Sequence, residues 1–217
     1  LLEALHDSAR LHLLLGDSAS AEDDFRRALD LARSIGFDRG ITLNLVALGD
    51  LEFRRKRTEA AVAFYEQARQ RAAAAGAQHA LALSQLRLAR VNRSQQRVDP
   101  ASAQTDESLA IARKIGAPGL EAEALYSRAE LARVQKRFDL ALENYQAAEN
   151  AQARIGDPDL LWQIHFGRAR AQEASGNVSA ALVSLEAAVK LIEGVRGRLQ
   201  ESRFRSGYVE DKFEVYL

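Results

Sequence analysis

Four histidines, His6, His12, His79 and His165, are the side chains of this sequence best suited to move a proton or hold a metal near neutral pH. No two of them stand four residues apart, the spacing that lets a pair of imidazoles on one helix share a metal ion. Cysteine is absent, which removes thiol catalysis, disulfides and cysteine-ligated metals. No phosphate-cradling glycine loop and no nucleophile elbow occurs. These residues give the chain no catalytic role, no cofactor and no metal. His165 falls where Leu5, Leu45 and Leu125 stand in matching positions, so it reads as a half-buried packing residue.

One charged pattern does stand out. Arg10, Asp50, Arg90, Glu130 and Arg170 recur every 40 residues and alternate in sign. If the segments that carry them lie side by side, the row is a ladder of ion pairs, each worth about 0–1 kcal/mol when exposed. On that reading Arg90 pairs with its neighbours in the row, and Glu130→Arg should partly rescue Arg90→Glu.

The elements that position this row repeat with the same interval. From Glu121 to Gln135, Ala122, Leu125, Ala129 and Ala132 fall three and four apart, as one face of a helix requires. From Asp139 to Ile155, Ala141, Leu142, Tyr145 and Ala148 do the same, after a polar break at Lys136 and Arg137. The pair is a helical hairpin, helix A followed by helix B. Its small residues recur as Ala9, Gly49, Ala89, Ala129 and Ala169 in helix A, and as Ala21, Ala61, Ala101, Ala141 and Ala181 in helix B. The large residue of helix B is Phe25, Tyr65, Thr105, Tyr145 and Leu185. Gly36, Gly76, Gly116 and Gly156 each follow a helix B, where a left-handed cap would end it. Thr58 reads as an N-cap, and Asp99-Pro100 and Asp157-Pro158 read as caps with proline at the first helical position. The third copy, with Thr105 in the aromatic's place, is the weakest. The cluster Arg54 to Arg57 reads as a solvated helix end favoured by the macrodipole.

A fixed period of this length predicts an all-α, right-handed α-solenoid of five hairpins in a single elongated domain. The repeats are 1–39, 40–79, 80–118, 119–157 and 158–195, with a C-terminal extension helix over 196–217. The chain has 30 basic and 30 acidic residues in 217, and a formal net charge of zero. That balance lacks the excess of cations a nucleic-acid binder carries, so no nucleic acid is expected. No apolar run of about 18 residues occurs, so no membrane is expected either. The chain is expected to be monomeric and cytoplasmic, and the absence of methionine suggests a fragment of a longer protein.

The order small residue in helix A, then alanine, aromatic and alanine in helix B, resembles the tetratricopeptide repeat (TPR) family. Gly49, Ala61, Tyr65 and Ala68 carry it in one copy, and Ala129, Ala141, Tyr145 and Ala148 in another. The unit is longer than that family's usual one and closes on glycine rather than proline, like long variants in bacterial signalling and regulatory proteins. The resemblance implies a non-catalytic scaffold that binds a protein or peptide. Helices A of such a solenoid line its concave face. The side chains expected there are Val46, Phe53, Arg54, Leu86, Arg90, Arg93, Tyr126, Glu130, Arg133, Phe166 and Arg170. Their mix of apolar and basic character suits a peptide bearing acidic residues.

The last segment breaks the period, with Arg196 where a glycine is due, and Gly194 and Gly197 inviting a kink. The wording Ile192-Glu193, Val195-Arg196, Leu199, Arg203, Arg205, Tyr208, Lys212 and Val215-Tyr216-Leu217 is similar to the linker that joins such arrays to the caspase-like CHAT peptidase domain in bacterial proteins. That resemblance implies a recognition or regulatory arm, with the peptidase lying beyond Leu217. The alternative is the helical arm of a bacterial transcriptional or signal-transduction regulator.

Overall fold

A computed structural model of the chain describes residues 1–153, 155, 158–197 and 208–216. It is all helical, with no strand among the described residues. The order is α1 (Leu2–Leu14), α2 (Ser18–Ser34), α3 (Asp38–Arg54), α4 (Thr58–Ala74), α5 (Gln78–Ser94), α6 (Val98–Lys114), α7 (Pro118–Val134), α8 (Phe138–Gln152), α9 (Pro158–Ala174) and α10 (Val178–Arg196). A short 3-10 helix, Glu210–Val215, follows. Odd-numbered helices are the A helices of five hairpins and even-numbered ones the B helices, with the B helices starting 40 residues apart.

The polypeptide forms two compact units, Leu1–Ile111 and Ala112–Leu217. The division falls inside α6, the helix in which Thr105 replaces the aromatic. There Thr105 and Ser108 are fully buried. Each satisfies its hydroxyl on backbone, Thr105 on the Ala101 carbonyl at 2.8 Å and Ser108 on the Ala82 carbonyl at 2.9 Å. The third hairpin therefore has one side-chain hydrogen bond from Ser108 across to α5 where its neighbours use a ring, while Thr105 satisfies its hydroxyl within α6.

Elsewhere the core follows the small-residue pattern. Ala9, Ala21, Ala61, Ala129 and Ala141 have no exposed surface, and Phe25, Tyr65 and Tyr145 fill the space these small residues leave. Fully burying one such ring contributes roughly 2–3 kcal/mol. Gly49 permits the closest approach, since a Cβ there would lie 2.5 Å from the Tyr65 ring.

Helices α1 to α7 and α9 end in the same way. Gly16, Gly36, Gly76, Gly116 and Gly176 have positive φ, and so do Lys56 (60°), Gln96 (59°) and Lys136 (59°). Left-handed residues thus recur every 20 residues, and glycine fills only some of the positions. Gly156 and Asp157, expected as a cap and an N-cap, lie outside the described residues.

Helix starts depart from the expected caps. Asp17 and Asn177 accept the backbone N–H groups of Ser20 and Ala180 at 3.0 and 3.2 Å. Thr58, by contrast, is the first residue of α4, behind Arg57, and makes no cap bond. Helix α6 begins at Val98, so Asp99-Pro100 sits inside its first turn, where the missing N–H of proline is harmless. The basic cluster after α3 is partly paired, because Arg55 bridges Glu22 and Glu52 at 2.5 and 2.9 Å.

The described part of the C-terminal extension lies on the last hairpin. Tyr208 and Val215 are buried against Ala188 and Ile192, with Trp162 and Phe166 alongside. Tyr208 donates to Asp159 at 3.1 Å and Tyr216 to Glu193 at 2.6 Å. Helix α10 continues through Gly194 to Arg196. Leu199, Arg203, Arg205 and Leu217 lie outside the described residues.

Candidate functional site

The expected surface residues divide between the two units: Val46, Phe53, Arg54, Leu86, Arg90 and Arg93 in the first, and Tyr126, Glu130, Arg133, Phe166 and Arg170 in the second. Not all are available to a ligand. Val46 and Leu86 are each only 4% exposed, and Glu130 is 5%. Val46 belongs to the core of the first unit, where α3 and α5 lie against one another. These three cannot serve as docking side chains. Arg54 and Arg170 are exposed, and Phe53, Arg90, Arg93, Tyr126, Arg133 and Phe166 are half-buried.

In the first unit the site is built around Asp50. Its carboxylate accepts from the Tyr65 hydroxyl at 2.8 Å and from Arg87 at 3.1 Å, and pairs with Arg90. Arg90 also donates to the Tyr65 oxygen at 3.0 Å, and its guanidinium lies 4.5 Å from the centre of the Phe53 ring, a cation–π contact. Burial alone would raise the Asp50 carboxyl, but Arg87, Arg90 and the Tyr65 hydroxyl outweigh it and hold it below its ordinary range. Tyr65 is pushed up, first by burial and then by the Asp50 charge, so it stays a neutral donor.

The second unit repeats this arrangement with different neighbours. Tyr145 donates to Glu130, and Arg133 pairs with Glu130 at 2.8 Å. The Tyr145 ring lies 6.2 Å from that of Tyr126. Gly167 takes the position corresponding to Arg87, and a Cβ there would meet the Tyr145 hydroxyl at 2.6 Å. Arg170 stands over the Phe166 ring at 5.6 Å.

The alternating row is therefore not a uniform ladder. Of its expected pairs, Asp50–Arg90 forms, while the Glu130 carboxylate is held by Arg133 and Tyr145. Its alternation has another cause. An acid occupies the row wherever helix B carries tyrosine, Asp50 with Tyr65 and Glu130 with Tyr145, and arginine occupies it beside Phe25, Thr105 and Leu185. A buried phenol needs an acceptor, whereas Phe25 and Leu185 carry no polar side-chain group and the Thr105 hydroxyl is already satisfied by the Ala101 carbonyl. Arg87, Tyr65 and Tyr145 escaped the sequence reading as parts of this site. The signal that could have found the two tyrosines is the shared 15-residue separation between acid and tyrosine; none marks Arg87.

His165 is half-buried, as its leucine counterparts suggested, yet it is also polar in its contacts. Its Nδ1 lies 2.7 Å from Arg168 Nη2 and its Nε2 lies 3.6 Å from Glu149 Oε1, while Arg168 also pairs with Glu149 at 2.6 Å. Arg168 can only donate, so Nδ1 accepts and the proton sits on Nε2. Burial first, and then the Arg168 charge, lower the histidine's proton affinity, with Glu149 opposing. The imidazole is accordingly neutral, a packing residue with hydrogen bonds. No group of His, Asp and Glu among the described residues is arranged to hold a metal ion.

The fold is that of a helical-repeat protein. Tetratricopeptide repeat models match residues 38–114 and 2–35, together about half of the chain, and the chain belongs to that family over those residues. Among solved structures it is similar to BtubC (BKLC) from P. vanneervenii, with 21% identity over 93% of this chain and 83% of that one, at a TM-score of 0.67. It is also similar to a P. anserina protein described as a kinesin light chain with nearly identical TPR-like repeats. There the identity is 21% over 88% of this chain and 94% of that one, at a TM-score of 0.57. These likenesses concern the fold. No curated protein matches the chain. No described helix is long and apolar enough to cross a membrane.

Proposed function

We propose that the chain is a non-catalytic scaffold whose A-helix faces capture a peptide bearing acidic residues. The observation that carries this reading is the make-up of α5. It holds Arg87, Arg90 and Arg93 and no acidic residue, and the α3 carboxylate it meets, Asp50, is shared by Arg87 and Arg90. With the exposed Arg54 next to Phe53 in sequence, the face of α3 and α5 offers cationic charge beside an aromatic ring. An extended or helical peptide with carboxylates flanking an apolar side chain matches that chemistry. The test is binding of short peptides of graded charge, with Arg93→Glu as the control; capture of acidic peptides that the variant loses supports the reading, and indifference to peptide charge sinks it.

The array would then act as the recognition or regulatory arm of a larger bacterial protein with a CHAT-type peptidase. Support for that setting is the wording of the segment from Ile192 to Leu217. Extending the reading frame past Leu217 tests it: separated His and Cys motifs in an α/β domain favour the peptidase, and a helix-turn-helix or nucleotide-binding domain favours a regulator instead.

A further inference from the structure

Trp162 of α9 takes a place that holds Thr42, Ala82 and Ala122 in α3, α5 and α7, small residues with no exposed surface. An indole there denies a neighbouring helix the same close approach. What packs on it instead is the short segment of residues 208–216. Tyr208, Lys212 and Val215, four and three residues apart, are all buried in that contact. Lys212 is its unusual member. The ammonium lies 4.0 Å from the centre of the Tyr208 ring and 5.8 Å from that of Trp162, and it donates to the Tyr208 carbonyl at 2.7 Å. Asp159, three residues before Trp162 on α9, accepts from the Tyr208 hydroxyl, and Glu193 of α10 accepts from Tyr216. The surface of α9 and α10 beneath the segment is thus aromatic and acidic, and a lysine is seated on it.

We propose that residues 208–216 are a displaceable internal ligand, and that the surface beneath them is a second peptide site. Its partner is a protein segment with the same order of side chains: an aromatic residue, a lysine four residues on and an aliphatic residue three further. One donor of the surface favours exchange. The Trp162 indole N–H is buried and meets no acceptor among the described residues. An indole nitrogen can only donate, so a partner that brings a carbonyl to it gains a bond the internal segment does not supply. This site is separate from the arginine-bearing face of α3 and α5 and reads the opposite charge.

Trp162 is the only tryptophan, so its emission reports this surface directly. Val215→Asp charges a side chain that the segment buries, and should free the segment and shift the emission to the red while circular dichroism keeps its helical signal. A labelled peptide of residues 208–216 should bind that variant at least about tenfold more tightly than the native chain, whose own segment competes at high effective concentration. Binding should return the emission toward the native wavelength, and the peptide carrying Lys212→Glu should bind neither chain. Tyr208→Phe, which removes the bond to Asp159 and keeps the ring, is the milder release and should raise peptide affinity by less, in the same direction. Unshifted emission, equal affinity for native and released chains, or loss of helix in both variants overturns the proposal. So does sedimentation of the native chain as a dimer that Lys212→Glu disperses, since the occupant would then be the segment of a second copy.

Discussion

Tyr65 and Asp50 stand 15 residues apart, on α4 and α3, and the phenol donates to the carboxylate at 2.8 Å. Asp50 in turn holds Arg87 and Arg90 of α5, so one buried hydroxyl links three successive helices of the first unit. Tyr65→Phe should therefore cost about 1.5–3 kcal/mol, the usual worth of a hydrogen bond to a charged group. Asp50→Asn should cost at least as much, since it leaves two guanidiniums without their anion. Chemical denaturation of both single variants and the double variant checks this; losses that simply add would contradict a shared network.

Acid should weaken the same network. The folded-state pKa of Asp50 lies below its unfolded value of about 3.8, so its contribution is present above that value and is lost as pH falls through the folded one. Unfolding followed from pH 5 downward, roughly the start of that window, should show a steeper loss for the native chain than for Asp50→Asn.

His165 predicts a second and higher window. Its proton affinity is lowered in the fold, so the unfolded chain binds the proton more readily, and stability falls as pH drops below the unfolded value of 6.5. His165→Leu, the residue found at Leu45 and Leu125, should flatten that dependence. A midpoint that declines equally in both proteins would contradict the assignment.

The left-handed turns offer a test by gain of stability. Lys56, Gln96 and Lys136 hold φ near 60° without the freedom of glycine. Lys136→Gly should stabilise by about 0.5–1 kcal/mol, or a melting shift of roughly 1–4 °C. Gly116→Ala should lose a similar amount, since its φ is 63°.

Helical periodicity made the hairpins, their 40-residue step and the buried alanines legible, because each depends on spacing along one helix. What it could not reveal depends on pairs of helices. Val46 looked like a groove residue, yet α3 and α5 meet over it. The sign alternation at Asp50 and Glu130 was visible, but its cause lies in tyrosines of another helix. Lysine and glutamine at left-handed turns run against local preference, so only the recurrence of the turn itself accounts for them. The start of α6 at Val98 is not legible from Pro100, because proline is tolerated throughout the first turn and does not mark its first residue.

A peptide-binding face with a preference for acid should discriminate ligands by charge. The most direct measurement is fluorescence anisotropy of the chain with short peptides of equal length and apolar content but opposite charge, at low and at physiological salt. Acidic peptides should bind, their affinity should fall as salt screens the contact, and Arg93→Glu should abolish the difference between the two peptides. Equal binding of acidic and basic peptides, or full retention by the variant, would contradict it.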